Sequence, residues 1–550
     1  MSAFTNELTA LLSSAKKAPG FIYKYGTAGF REKAPVLNSV FVRMGLLAWL
    51  RAVDTNQAVG LMVTASHNPV QDNGIKLVDP DGGMLAQSWE EHATLLANAP
   101  DENVLEVFDS IASRLAIDLN KNDFGQACVV LGMDTRPHSK SLSDLSMDGI
   151  KALNGKFLHL GVVTTPQLHH VVRHMNLGPK DLASEAGYYK KVSLSFLDLI
   201  GDRQGSSKVV IDCAYGVGGP KVELLLKQVN ANRQVLQVEL RNVPGVGTED
   251  LLNNGVGAEH VQKKLLVPEN TLVMPQDELV RFASFDGDAD RIVYFCQEKD
   301  GRLRLLDGDK IATLFAMFIK KQLALLPADV SSGVTIGCVQ TAYANGASTA
   351  FIKNTVQVPT PVAKTGVKFC HHKAVEYDVG IYFEANGHGT VLFKQSMIEM
   401  LKKVPIDSLN AEQQLALRRL LLLEQLINQA TGDAMADFLA IEAILMVEDM
   451  NLDGWNGLYS DLPSRQLKCK VADRSVIITS EDETRVLEPE VLQNAIDKVV
   501  AMFECGRAFV RPSGTEDVVR IYAEAMTSSL ADELAELVRK AAFDHAGGIE

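Results

Sequence analysis

The feature that most constrains this chain is a plan it uses several times: a short apolar run, then a polar or glycine-rich loop, then a helical pattern. Residues 59–63 (VGLMV) run into Thr64-Ala65-Ser66-His67-Asn68-Pro69, residues 129–133 into Asp134, and residues 209–211 into Asp212 and the loop to Gly219. The same succession recurs where residues 282–285 lead to Asp286 and where residues 380–383 lead to Glu384. Short apolar runs bounded by turn signals read as buried strands. Strands alternating with helices predict α/β layers whose ligand loops lie at the carboxyl ends of the strands.

At 550 residues the chain exceeds what one core can organise, and three to five domains are expected. Breaks are predicted at 201–207 (GDRQGSS), near 300–309, and among 449–464, where Gly, Asn, Asp and Pro gather. They divide the chain into 1–200, 201–305, 306–455 and 456–550. The last piece differs from the others. A helix over 493–502, a strand over 507–510 and an amphipathic helix over 529–542 predict a small α+β domain.

Bulk properties exclude several classes. A net charge of −14 disfavours non-specific binding to nucleic acid or anionic membrane. Hydrophobic content of 46% and mean hydropathy of +0.03 predict packed cores without extensive disorder. The first twenty residues are too polar for a secretory leader, and no run approaches a membrane span. The leucines at 420–423 are interrupted by Arg418, Arg419 and Glu424 and read as a packed helix. Seven scattered cysteines without a CxxC pair point to a reducing compartment, and the expected location is cytoplasmic.

The loops concentrate the chemistry. Ser66 sits just past the end of a buried strand and is the candidate reactive hydroxyl. Asp286, Asp288 and Asp290 place three carboxylates at alternate positions, which is costly without a cation, and hard oxygen ligands select Mg²⁺ or Ca²⁺. An EF-hand is excluded because Arg291 stands at the sixth position and Gln297 at the twelfth. Mg²⁺ is the expected ion, and a phosphate oxygen on Ser66 would occupy one of its open positions.

Arg511, Pro512, Ser513, Gly514 and Thr515, followed by Arg520, combine guanidinium groups, hydroxyls and a glycine that lets backbone amides approach a phosphate. Arg31, in YGTAGFR, is a weaker candidate of similar composition. Glu384, Asn386 and His388 offer a carboxylate, an amide and an imidazole at alternate positions, a set suited to sugar hydroxyls and proton transfer. Lys76 is expected to return toward Ser66 through a hairpin at Asn73 and Gly74. Lys364, Lys368 and Arg136 are further cations, and the His371–His372 pair reads as structural.

Taken together, TASHNP, FDGDADR, FEANGHG and RPSGTED resemble, in order and spacing, the α-D-phosphohexomutase superfamily over nearly the whole chain. YGTAGFR, the FEANGHG form of the sugar loop and RPSGTED are most similar to its branch acting on N-acetylglucosamine phosphates. The resemblance implies three similar mixed α/β domains plus a smaller C-terminal α+β domain around a central cleft. In order, these would carry the phosphoserine, the metal, the sugar and the phosphate.

It further implies that Ser66 carries the phosphoryl group and, with Asp286, Asp288 and Asp290, binds Mg²⁺. Glu384 and Asn386 would grip the sugar, while Arg511, Ser513, Gly514, Thr515 and Arg520 would hold the second phosphate. Lys76 and His388 match positions of proton transfer. Arg31, Arg291 and Lys364 match cationic positions, and His67 would support Ser66. The implied reaction interconverts N-acetylglucosamine 6-phosphate and 1-phosphate through a hexosamine bisphosphate, feeding UDP-N-acetylglucosamine synthesis, in a monomer or weak homodimer. The alternatives are glucose or mannose phosphates as substrates, a Mg²⁺ phosphatase, or a non-catalytic sugar-phosphate sensor.

Overall fold

A computed structural model describes residues 5–119, 123–205, 208–271, 280–298, 300–514 and 516–549. The first sheet comprises β1 (Phe30–Lys33), β2 (Ala58–Val63), β3 (Asp72–Val78), β4 (Cys128–Met133) and β5 (Phe157–Val162), in the order β1-β3-β2-β4-β5. Strands β2, β4 and β5 are parallel, and β3 is antiparallel to both β2 and β1. The second sheet comprises β6 (Val209–Asp212), β7 (Val238–Arg241), β8 (Arg281–Phe285), β9 (Ile292–Gln297) and β10 (Leu303–Leu306), in the order β10-β9-β8-β6-β7. The third comprises β11 (Ile336–Thr341), β12 (Val362–Ala363), β13 (Val379–Phe383) and β14 (Gly389–Phe393), in the order β12-β11-β13-β14.

These three sheets share one plan. Each switches from parallel to antiparallel pairing at a single hairpin, β2–β3, β8–β9 or β13–β14. The three chemistry-bearing loops, after Val63, Phe285 and Phe383, are those hairpin connections. Burial explains why the strands before them are almost wholly apolar. In β2, Val59, Leu61 and Val63 enter one core with the helix Asn38–Thr55, while Ala58 and Met62 enter another with the helix Thr165–Asn176. Successive side chains point to opposite faces, so a strand covered by helices on both faces has no position open to water.

The C-terminal module is an antiparallel sheet of β15 (Ser464–Lys470), β19 (Val518–Glu524) and β18 (Arg507–Pro512), with a short ribbon of β16 (Ile478–Thr479) and β17 (Val486–Glu488). The helices Glu490–Val500 and Ser528–His545 close its core through Leu492, Ile496, Leu534 and Val538. The last helix and β18 extend a few residues beyond their sequence-predicted limits, whereas the helix Glu490–Val500 starts three residues before its predicted start and ends two before its predicted end.

The chain forms two compact units, Met1–Asp307 with Leu422–Glu448, and Gly308–Leu421 with Asp449–Glu550. Segment 422–448 therefore packs with the first two sheets. Its helix Ala434–Val447 is apolar around its whole circumference, with every residue from Ala434 to Leu445 buried. Glu442 within it takes a 2.8 Å ion pair from Arg281, and Asp433, its N-cap, accepts the Tyr188 hydroxyl at 2.8 Å. The leucines at 420–423 lie in the helix Ala411–Leu426, with Leu420 and Leu423 fully buried. No helix among the described residues is long and apolar enough to cross a membrane, and the seven cysteines form no disulfide.

Candidate active site

Ser66 ends the run from β2 in a left-handed backbone conformation, with φ of 50°. For a residue with a Cβ this costs roughly 1–2 kcal/mol, so the surroundings must hold it. Thr64 Oγ1 accepts from the Ser66 amide at 2.9 Å. The Ser66 carbonyl accepts from Arg136 Nη2 at 3.1 Å and from Asn253 Nδ2 at 2.8 Å. The same two donors reach the Asn68 carbonyl at 2.7 and 3.1 Å respectively. Each such bond contributes about 1 kcal/mol, enough together to offset the backbone cost. The side chain is thereby aimed at the second sheet, and Ser66 Oγ donates to Asp286 Oδ2 at 2.6 Å.

Asp286, Asp288 and Asp290 leave β8 in the β8–β9 hairpin with one ligand oxygen each inside a 4.8 Å span. All three are buried. Burial, then the charges of Asp290 and Asp288, hold the Asp286 carboxyl well above the usual carboxylate range. Asp288 is pushed up by burial and Asp290, but Lys76, Thr165 and Arg31 outweigh them and hold it low. Lys76 Nζ bridges Asp288 Oδ2 and Asp290 Oδ2 at 3.1 Å each. Burial pushes the Lys76 ammonium down, yet the two carboxylates more than compensate and its pKa is raised.

The donor set fits a hard divalent cation. Three carboxylate oxygens converge within 4.8 Å of one another, and Asp288 Oδ1 is buried without a hydrogen-bond donor while Asp288 Oδ2 already takes Lys76 and Thr165 Oγ1, the latter at 2.6 Å. A buried carboxylate oxygen left in that state is costly unless a cation meets it.

Glycine makes the crowding possible. A Cβ on Gly287 would lie 2.6 Å from the Ser66 carbonyl oxygen and 2.8 Å from Asn253 Nδ2. The hairpin tip is fixed from behind, where the Ala434 amide donates to the Ala289 carbonyl at 3.0 Å. Beneath it, buried Asp212 accepts from Asn242 Nδ2, the Ala214 and Gly257 amides and the Ser284 hydroxyl, tying β6, β8 and the 253–258 turn into one block.

Cationic and imidazole groups surround the cluster. Arg31, on β1, is pulled below its ordinary pKa by burial and Arg291, against the opposing pull of the three aspartates. Arg291 Nε lies 3.9 Å from Asp286 and 3.8 Å from Asp290. His67 Nε2 meets Glu259 at 2.9 Å, yet burial and Arg291 depress its pKa to about 4, so it is neutral at pH 7. These residues, with Ser66 and Lys76, belong to the first unit.

In the second unit, the β13–β14 hairpin carries Glu384, Asn386 and His388. The loop is self-tied: the Glu384 amide donates to the His388 carbonyl at 2.9 Å, and the His388 amide donates to Asn386 Oδ1 at 2.9 Å. Asn386 Nδ2 donates to Glu384 Oε2 at 3.4 Å. Gly308, which opens the helix Gly308–Leu325, is pressed against this loop so closely that a Cβ would lie 1.9 Å from the Glu384 carbonyl oxygen. Lys364 is exposed, with its ammonium 5.5 Å from the Phe369 ring centroid.

Arg511 and Arg520 are direct cross-strand partners on β18 and β19, and Lys468 on β15 is the partner of Arg520 on its other side. Three like charges on one face of a sheet repel one another, a cost that an anion relieves. Arg511 Nε donates to the Tyr343 hydroxyl at 3.0 Å, and its Nη1 lies 3.7 Å from Glu483. Ser513 is buried and Gly514 is exposed beyond it. Thr515 lies outside the described residues.

The sequence reading differs from the structure at two points. Asn73 and Gly74 do not form a hairpin. They lie inside β3, which starts at Asp72, because the reversal is made by residues 64–71, and Lys76 reaches the aspartates from within that strand. Arg136 is not a ligand cation: it is buried, ion-paired with Asp134, and committed to backbone carbonyls. Five partners escaped the sequence reading altogether: Asn253, Thr165, Glu259, Tyr343 and Glu483. Only Asn253 had a local signal, an Asn-Asn-Gly turn after an apolar pair.

Comparison with known proteins agrees with this geometry. Family models match residues 48–104 and 96–183 (phosphoglucomutase/phosphomannomutase, alpha/beta/alpha domain I), 181–293 (phosphoacetylglucosamine mutase AMG1, domain II), 307–450 (the same, domain III) and 467–541 (phosphoglucomutase/phosphomannomutase, C-terminal domain). The human phosphoacetylglucosamine mutase is 47% identical over 97% of this chain and 96% of its own, and that of Saccharomyces cerevisiae is 41% identical over 98% and 99%. Among solved structures, the Aspergillus fumigatus N-acetylphosphoglucosamine mutase in complex with GlcNAc-6P and magnesium superposes with a TM-score of 0.92 at 40% identity, covering 99% of each chain. The same enzyme with glucose 1,6-bisphosphate gives 0.91 at 41%, covering 100% of each chain. Four mixed α/β and α+β domains, a serine-bearing loop facing an acidic triad, and identity of this extent over the full length place the chain, as an enzyme, in the phosphoacetylglucosamine mutase family of the α-D-phosphohexomutase superfamily.

Proposed function

We propose that the chain interconverts N-acetylglucosamine 6-phosphate and N-acetylglucosamine 1-phosphate through phospho-Ser66 and a hexosamine bisphosphate, supplying the 1-phosphate for UDP-N-acetylglucosamine synthesis. The observation that carries this reading is the 2.6 Å contact of a left-handed Ser66 with one member of a buried three-carboxylate cluster. The relatives crystallised with GlcNAc-6P and magnesium and with glucose 1,6-bisphosphate support the substrate class, the ion and the intermediate. The reading assigns four functional domains with limits near 200, 305 and 455.

In the first half-reaction the free hydroxyl oxygen of the sugar phosphate bonds to the phosphorus on Ser66. The P–Oγ bond breaks and its electron pair returns to Ser66 Oγ, which takes a proton as the attacking hydroxyl loses one. The bisphosphate then turns round and returns its other phosphoryl group to Ser66. Ser66, Asp286, Asp288 and Asp290 would hold Mg²⁺, which when bound would withdraw charge from the phosphoryl oxygens.

The chain's own groups do the rest. Lys76 Nζ, kept protonated by Asp288 and Asp290, serves as one proton carrier. Arg31 and Arg291 neutralise phosphoryl charge, and neutral His67 with Glu259 braces the serine loop. His388 serves as the second proton carrier. Glu384 and Asn386 bind sugar hydroxyls in either orientation. Lys364, Arg511, Ser513, Gly514, Thr515 and Arg520 bind the phosphate that is not in transfer.

Comparing kcat/KM for the 6-phosphates of N-acetylglucosamine and glucose tests the assignment. The acetamido sugar is expected to win. A tenfold preference for the glucose phosphate would replace this reading with a phosphoglucomutase or phosphomannomutase, and release of free phosphate at the isomerisation rate would point to a phosphatase.

A further inference from the structure

We infer that Asn253 is a positioning residue for phosphoryl transfer: its side-chain amide, with the Arg136 guanidinium, clamps the Ser66 and Asn68 carbonyls and so fixes the serine in the conformation that aims Oγ at Asp286. The inference rests on Ser66 being the phosphoryl carrier. Asn253 belongs to the turn before the helix Ala258–Lys264 and lies 187 positions from Ser66 in sequence. Its Nδ2 has two protons and two acceptors, Ser66 O at 2.8 Å and Asn68 O at 3.1 Å. An Asn donor is thus fully committed to the backbone of a loop carried by another sheet.

The placement of Asn253 is itself over-determined. It adopts a left-handed φ of 57°, and its amide donates to the Ala214 carbonyl at 3.1 Å. That carbonyl belongs to the loop after β6, whose Asp212 also holds the Gly257 amide at 2.8 Å. On the other side Arg136 is locked by Asp134, which also accepts Ser139 Oγ at 2.6 Å. The serine loop is therefore gripped by one donor from its own sheet and one from the sheet that carries the aspartates. Gly287 completes the arrangement, since a side chain there would strike both the Ser66 carbonyl and the Asn253 amide.

Two carbonyls facing one donor pair make the chemistry of the amide testable. In Asn253→Asp the shape is kept, but the donor becomes an anionic acceptor facing two carbonyl oxygens. In Asn253→Ala both bonds vanish without that repulsion, and in Asn253→Gln a donor is kept on a longer arm. Because Asn253 touches loop backbone and not substrate, the loss should fall on kcat, with KM for the sugar phosphate within about threefold.

The experiment measures kcat, KM, thermal midpoint and the rate of Ser66 phosphorylation by glucose 1,6-bisphosphate for the full chain and these three variants. The expected result is a kcat loss of tenfold or more in Asn253→Ala, a larger loss in Asn253→Asp, partial recovery in Asn253→Gln, and a parallel slowing of Ser66 labelling. Should Asn253→Ala fail to fold, the Asp and Gln variants carry the comparison. A kcat within twofold of the parent in folded Asn253→Ala or Asn253→Asp overturns the inference, as does a loss that follows thermal midpoint and KM instead of labelling rate. If the parent chain itself takes no label on Ser66, the phosphoserine reading fails first, and that outcome is separable from the other two.

Discussion

The β8–β9 and β13–β14 hairpins occupy the same place in similarly organised sheets, yet they are built in opposite ways. In the first, three carboxylates are buried and bound to Lys76, Thr165, Ser66 and backbone amides, with their charge concentrated in a small volume. In the second, Glu384 and Asn386 remain half-buried, and the loop is tied largely by bonds within itself. A shared topology thus fixes an address and leaves the chemistry to the residues placed there. A buried charge cluster suits a centre whose geometry must not change. A partly open set of neutral and acidic hydrogen-bonding groups suits the proposed sugar ligand, which would be accepted in two orientations.

The largest expected effect probes the first kind of loop. Ser66→Ala should cost about 10⁴-fold or more in kcat, since the proposed phosphate carrier is lost, and should abolish labelling from glucose 1,6-bisphosphate. Residual turnover within a hundredfold of the parent would show that the buried cluster works without the serine.

A smaller effect probes the second kind. Asn386→Ser shortens a side chain in a loop that keeps its backbone ties, so folding should hold. The ratio of kcat/KM between N-acetylglucosamine and glucose phosphates should then fall by roughly tenfold, the size of one lost hydrogen bond to a ligand. An unchanged ratio would remove Asn386 from substrate selection.

The smallest expected effect concerns acid. His170 and His174, in the unit that carries the aspartates, stack with ring centroids 4.0 Å apart. Burial first, and for His170 the neighbouring His174, depress both pKa values, to about 4 for His174 and about 2 for His170. Their folded pKa values lie below the unfolded one. Their contribution to stability is therefore complete above pH 6.5 and is lost as pH falls toward 4. The thermal midpoint should drop by several degrees between pH 7 and pH 5, and replacing His170 and His174 together with Gln should flatten that slope. A slope that persists in the double variant would assign it elsewhere.

Much of this was legible in the chain. Buried strands announce themselves as apolar runs, and the serine, the aspartates and the sugar-loop residues each follow one directly. What sequence could not supply is pairing at a distance. Nothing near Lys76 indicates that its partners are Asp288 and Asp290, and a turn-prone Asn73-Gly74 pair suggested a hairpin that the 64–71 reversal makes instead. Arg136 read as a cation for a ligand because its buried partner and its carbonyl acceptors become visible only when the strand ends are brought together. Glu483, in the connection between β16 and β17, acquires meaning only beside Thr365 and Arg511.

Segment 422–448 packs with the unit formed by the first 307 residues although more than a hundred residues separate them. Cutting the gene after Asp307 would therefore keep Ser66, Asp286, Asp288 and Asp290 while discarding the amide that holds Ala289 and the carboxylate that neutralises buried Arg281. Such a truncated product should be poorly soluble alone. A synthetic peptide spanning 422–448, added in trans, should raise its soluble yield, because the first unit is completed by a segment that the chain supplies from a distance.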